Sequence, residues 1–342
     1  MRIVIGDDSP SKRPREEPTK VIAAPASAKP AVTLPDSGVY RNPGNGRRCI
    51  LVCGGIGDNV WLIQKLVNAK EEFNWFLPND SPRRGSQIFE LLGKPTVLTV
   101  DYGSFDTGKP LSFNVQAHRS RWCDIPFRDF YLQCNDHLLG RRIEEFLPDL
   151  PTSFEIEWKT SSCEQALAQR LFPASGPRTI GLYASSYPSS KSWDFWKVPE
   201  WVWLATKVRR ELGEETRFVV MGAAYDLDLG RELFDALAAL KCDVIPMFGL
   251  PLGVIAETLK RLDYFFAFPS GLPILATTVK CPTLMFYPKH LASLMDTWAS
   301  PEAIRDGSYH GMLFCTPEEA VLRAFEVYHL PERPCRVPSP SA

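Results

Sequence analysis

The amino-acid sequence predicts an α/β protein made of two doubly wound domains that face each other across a cleft. Three observations carry this expectation. A chain of 342 residues exceeds the size at which a single core usually keeps growing. Short apolar runs alternate with segments of helical length in both halves, the pattern of βαβ units on a parallel sheet. Small-residue turns follow strands in each half, at the place where open α/β sheets bind ligands. Each half therefore reads as Rossmann-like.

Residues 1–46 form a Pro/Ser-rich stretch with no hydrophobic period, and they read as a mobile tail. KRPREE within it mixes charge signs and reads as solvated chain. The N-terminal domain is expected over 47–150. It opens with RRCILVCGG, a buried strand closed by glycines. DNVWLIQKLVNAKEEF follows as a helix, with Val60, Ile63, Leu66 and Val67 at helical spacing. NWFLPN is a strand, SPRRGSQIFELLG a helix and PTVLTV a strand. A helix is expected around DHLLGRRIEEFL, and residues 151–178 read as a linker.

The C-terminal domain is expected over 179–330, with a short tail at 331–342. TIGLYAS, TRFVVMG, CDVIPMFG, DYFFAFPS and PTLMFYP read as strands. Between them lie VPEWVWLATKVRRELG, AAYDLDLGRELFDALAAL, PLGVIAETLKRL and GLPILATTVK as helices. TPEEAVLRAFEVYH closes the fold as a helix, with Thr316 as its N-cap and Glu318 and Glu319 in its first turn.

Composition narrows the function classes. Lysine plus arginine total 39 and aspartate plus glutamate 40, so no global basic field draws nucleic acid to the chain. The nine cysteines are scattered without a C-x-x-C pair, and the five histidines show no metal spacing. A protein-held metal is not expected, nor any other cofactor. MRIVIG followed by DDSPSKRPREE is not a signal-peptide pattern, and no apolar run reaches the ~20 residues that span a bilayer. A cytoplasmic location is the expectation.

The chemistry should lie in the strand-to-helix turns. In the first, Gly54, Gly55 and Gly57 let backbone approach a ligand at a helix N-terminus, and Asp58 follows. Two readings of Asp58 stand: an N-cap, which needs only a short acceptor, or a general base. In the second turn, Ser185, Ser186 and Lys191 offer hydroxyl donors and a compact positive charge suited to a diphosphate. Trp193, Trp196, Trp201 and Trp203 nearby read as packing anchors. In the third, Ser270 and Gly271 start a helix whose amides face the expected cleft. Gly222, closing TRFVVMG, is a fourth turn residue of this kind.

Taken together these residues resemble the GT-B glycosyltransferases, and among them the heptosyltransferases of glycosyltransferase family 9. The family's glycine–aspartate at the first helix is similar to Gly57 and Asp58 in GGIGDNVW. Its hydroxyl pair with a lysine and tryptophan is similar to Ala184, Ser185, Ser186, Lys191 and Trp193, with two residues inserted. Its late D-[ST]-G-x-x-H turn is similar to Pro269, Ser270, Gly271 and Ile274, with proline in place of the acid and isoleucine in place of the histidine.

The resemblance implies a nucleotide-sugar donor on the C-terminal domain, held by Ser185, Ser186, Lys191, Gly222, Ser270 and Gly271. It implies Asp58 as the base that activates an acceptor hydroxyl, with inversion and without a protein-bound metal. The acceptor stays open among a glycan, a lipid-linked glycan, a protein and a modified DNA base. Two alternatives stand beside this reading. One is a nucleotide-sugar 2-epimerase-like enzyme, which would need acidic and histidine residues that the C-terminal half offers sparsely. The other is a non-catalytic nucleotide-sugar-binding protein of the same fold.

Overall fold

A computed structural model of the chain describes residues 48–51, 56–67, 73–78, 82–93, 97–100, 151–185, 196–223, 227–289, 292, 295–297, 299–314, 316, 318–319 and 322. The expected tails, the helix around 136–147, and Gly54, Gly55, Ser186, Lys191 and Trp193 lie outside these residues.

The first half gives β1 (Arg48–Leu51), α1 (Ile56–Leu66), β2 (Phe73–Pro78), α2 (Pro82–Leu91) and β3 (Val97–Val100). The strands pair in parallel in the order β1-β2-β3. Helix α1 starts two residues earlier than the apolar spacing suggests and ends at Leu66. Val67 therefore falls past the helix and is exposed, while Val60, Ile63 and Leu66 are buried.

The stretch expected to link the halves carries structure of its own. Residues 151–160 run without regular secondary structure along the ends of the first helices. The Ser153 amide donates to the Gln64 carbonyl at 2.6 Å, and the Lys159 amide to the Leu91 carbonyl at 2.5 Å. Helix α3 (Ser162–Leu171) follows. A reciprocal cap starts it: Ser161 Oγ accepts from the Glu164 amide, and the Glu164 carboxylate accepts from the Ser161 amide at 2.7 Å.

The second half alternates as expected: β4 (Thr179–Tyr183), α4 (Val198–Leu212), β5 (Arg217–Gly222), α5 (Leu227–Ala239), β6 (Asp243–Phe248), α6 (Leu252–Leu259), β7 (Tyr264–Ala267), α7 (Gly271–Thr278) and β8 (Thr283–Pro288). Two further elements escape the pattern, the five-residue helix α8 (Pro301–Arg305) and a sixth strand β9 (Tyr309–Phe314). Thr316 accepts from the Glu319 amide at 3.2 Å, as an N-cap does.

All six strands are parallel, in the order β6-β5-β4-β7-β8-β9. Alternation along the strands divides the core. Ile180, Leu182, Phe218, Val220, Phe266 and Phe286 pack with α4 and α5 on one face. Trp196 and Trp201 belong to this layer, their rings 5.0–5.9 Å from Phe268 and Phe286, so the anchor reading holds for both. On the other face Tyr183, Met221, Phe265 and Met285 pack with α6 and α7. That same apolar cluster continues into Val60, Ile63, Ile88 and Phe89 of α1 and α2. One core thus joins the helices of both halves.

Candidate functional site

The strand order places the site. From β4 the chain steps outward to β5 and β6, then crosses back and continues on the other side through β7, β8 and β9. The reversal lies between β4 and β7, where Tyr183 is in register with Ala267. Connections leave these two strands in opposite directions, and beyond the carboxyl ends of strands at such a reversal is where open α/β sheets bind ligands.

Three of the expected donor residues stand at this reversal. Ser185 lies two residues past β4 and is half-buried. Ser270 takes the N-cap place of α7, and Gly271 is its first residue; both are half-buried. The two turns touch: Ser270 Oγ donates to Tyr183 Oη at 3.4 Å, and the Phe268 amide donates to the Tyr183 carbonyl at 3.4 Å. Gly222 ends the neighbouring β5. It is buried, and its carbonyl accepts from the Gly249 amide at 3.0 Å, so its backbone oxygen is spent on the turn after β6.

The first turn of α1 reaches the same place. A Cβ built on Gly271 would stand 2.8 Å from Ile56 Cβ and 2.9 Å from the Gly57 nitrogen. One built on Gly57 would stand 2.8 Å from Ile274 Cδ1 and 3.3 Å from Gly271 Cα. Glycine at both positions lets two helix starts touch. Each start carries roughly half a positive charge from the aligned peptide dipoles, so their meeting point favours an anion.

Asp58 is the third residue of α1, in its first turn, where a carboxylate sits favourably on the helix dipole. Ile274 also gains a physical account. It is 3% exposed and fills the space over Gly57, so apolar packing between helices occupies the position where the family pattern has a histidine.

Sequence reasoning missed the buried polar groups around this site. Tyr183 read only as a strand residue, although a phenol at the carboxyl end of a strand must find a partner for its hydroxyl. Asn59 is fully buried, and among the described residues neither side-chain polar atom has a hydrogen-bond partner. Gln64, five residues on, is in the same condition.

No protein-family model matches the chain, and no curated protein matches it by sequence. Solved structures do match by shape. The ADP-heptose lipopolysaccharide heptosyltransferase II of E. coli aligns with a TM-score of 0.50 at 13% identity, over 82% of this chain and 98% of that one. A family 9 glycosyltransferase from Veillonella parvula aligns with a TM-score of 0.50 at 11% identity, over 84% and 88%. A putative UDP-N-acetylglucosamine 2-epimerase from Listeria monocytogenes aligns with a TM-score of 0.45 at 13% identity, over 82% and 87%. The fold is that of the GT-B heptosyltransferases. Among the described residues no helix is long and apolar enough to cross a membrane.

Proposed function

We propose that this chain is a glycosyltransferase that moves a sugar from a nucleotide-sugar to an acceptor hydroxyl, with inversion and without a protein-bound metal. One observation carries the reading. Ser185 after β4 and Ser270 and Gly271 after β7 stand in the two turns of the strand reversal, beside the touching starts of α1 and α7.

In this mechanism Ser185, Ser270, Gly222 and the first amides of α7 hold the diphosphate, and the resemblance assigns Ser186 and Lys191 to the same donor and Gly54, Gly55 and Gly57 to the turn before the base, with Gly57 packed against α7. Asp58 takes the proton of an acceptor hydroxyl as that oxygen attacks the anomeric carbon. The bond from that carbon to the diphosphate breaks, and the nucleoside diphosphate leaves with the electron pair. Hydrogen bonds and helix starts fixed in advance stabilise the charge that develops on it. ADP is the first nucleotide to test, because the heptosyltransferase II of like fold uses ADP-heptose.

Thermal shift with ADP, UDP, GDP and their sugar conjugates tests the reading. A ligand at 100 times its dissociation constant stabilises the fold by about 2.7 kcal/mol. Asp58→Asn should then lower donor hydrolysis by ~10²-fold or more while donor affinity stays. If no nucleoside diphosphate raises the melting temperature, the reading is wrong.

A further inference from the structure

Ser270 stands where a helix cap should be, yet its side chain caps nothing. Its backbone is extended, with φ −165° and ψ 178°, as at an ordinary N-cap. A capping hydroxyl accepts from the amide of the second or third helical residue. In α7 the third residue is Pro273, which has no N–H, so one of the two targets is missing. The hydroxyl goes to Tyr183 Oη instead.

The two partners differ in freedom. Tyr183 is 1% exposed and sits on β4, in a ladder between β5 and β7. Ser270 is half-buried just before the first turn of α7. Each hydroxyl can donate once and accept twice, so the bond between them can run either way. When Tyr183 donates to Ser270 Oγ, the Ser270 proton is released for an outside acceptor. The chain of two hydroxyls then polarises toward that acceptor. By helix geometry the amides of Gly271 and Leu272 have no partner inside α7, and they lie next to this hydroxyl.

We propose that Tyr183 is a positioning residue for the diphosphate of the donor: its hydroxyl holds that of Ser270 off the helix cap and directs it to a phosphate oxygen. The proposal rests on the nucleotide-sugar reading of the same site. Its basis is the Tyr183–Ser270 contact across the strand reversal, together with the proline that withholds a capping target.

The test is a double-mutant cycle on the full chain, with ADP titrated calorimetrically and UDP and GDP run in parallel. Tyr183→Phe, Ser270→Ala and the double variant are compared with the parent chain. Each single variant should weaken binding roughly 2- to 12-fold, the reach of one net hydrogen bond. The double variant should bind no worse than Ser270→Ala alone, because Tyr183 acts only through Ser270. Ser270→Thr keeps the hydroxyl and should restore binding. Multiplying effects overturn the proposal, as does a Tyr183→Phe chain that melts lower yet binds ADP unchanged. Loss of cooperative folding in Tyr183→Phe also overturns it, since a positioning hydroxyl is not needed to fold. A parent chain that binds none of the three nucleotides refutes the broader functional reading instead.

Discussion

Replacing Gly271 with alanine tests whether the two helix starts are truly in contact. The new methyl would stand 2.8 Å from Ile56 Cβ and 2.9 Å from the Gly57 nitrogen, both distances no real Cβ tolerates. Neither obstacle is the far end of a flexible side chain, so α1 or α7 must move. Extra methylenes forced into packed interiors cost about 1–3 kcal/mol. Alanine returns up to ~1 kcal/mol of helix propensity, and less at a first helical residue. The expected net loss is about 1–2 kcal/mol, read as a lower urea midpoint with an unchanged slope.

Gly57→Ala should cost less, because its nearest obstacle is the terminal methyl of Ile274. The double variant should cost less than the two losses added, since one displacement makes room for both methyls. Gly249→Ala serves as a control for backbone strain alone, having φ +63° with nothing within 4 Å. A Gly271→Ala chain as stable as the parent would refute the close approach, and with it the shared anion position.

Two further outcomes follow from buried polar groups. Asn59→Leu should raise stability by about 1–3 kcal/mol, because it removes two buried polar atoms without partners among the described residues; a lower urea midpoint would count against that reading of Asn59. Glu257 on α6 is buried, which by itself would raise its pKa, but bonds from Lys260 and Thr160 and the nearby Arg261 together hold it below 4.5. A depressed folded pKa gives stability that is present above the ordinary glutamate range and is lost as the pH falls through the folded value. Glu257→Gln should therefore cost about 1–2 kcal/mol at pH 7, discounted because the Lys260 and Arg261 heads reach water, and less at pH 3. Equal losses at both values would refute the ionic account.

The second half was legible because its parallel strands are buried on both faces and read as apolar runs: RFVVMG and TLMFYP start one residue later than expected, while TIGLY and YFFA end two and three residues before the expected TIGLYAS and DYFFAFPS, where the turns begin. YHGMLF was not legible as β9, since histidine and glycine interrupt it and it pairs on one side only. Helix α3 hid inside a Pro/Ser-rich stretch, although Ser161 followed by Glu164 is a capping signature. Turn chemistry singles out Ser185, Ser270 and Gly271 in the sequence, and all three stand at the ends of β4 and β7, where the strand order reverses. The partnership of Tyr183 with Ser270 spans 87 residues and depends on strand order, which no local pattern encodes.

The core that joins α1 and α2 to α6 and α7 also has a history in time. Ile56 and its partner Gly271 are separated by about 215 residues of chain, which a ribosome adds at ~5–20 residues per second. For roughly 10–40 s during synthesis, then, the apolar sides of α1 and α2 exist while the helices that cover them do not. Such surface is prone to aggregate, and contacts this distant in sequence close slowly. The N-terminal half expressed by itself is accordingly expected to expose this apolar surface and to aggregate, which light scattering of residues 47–150 would check.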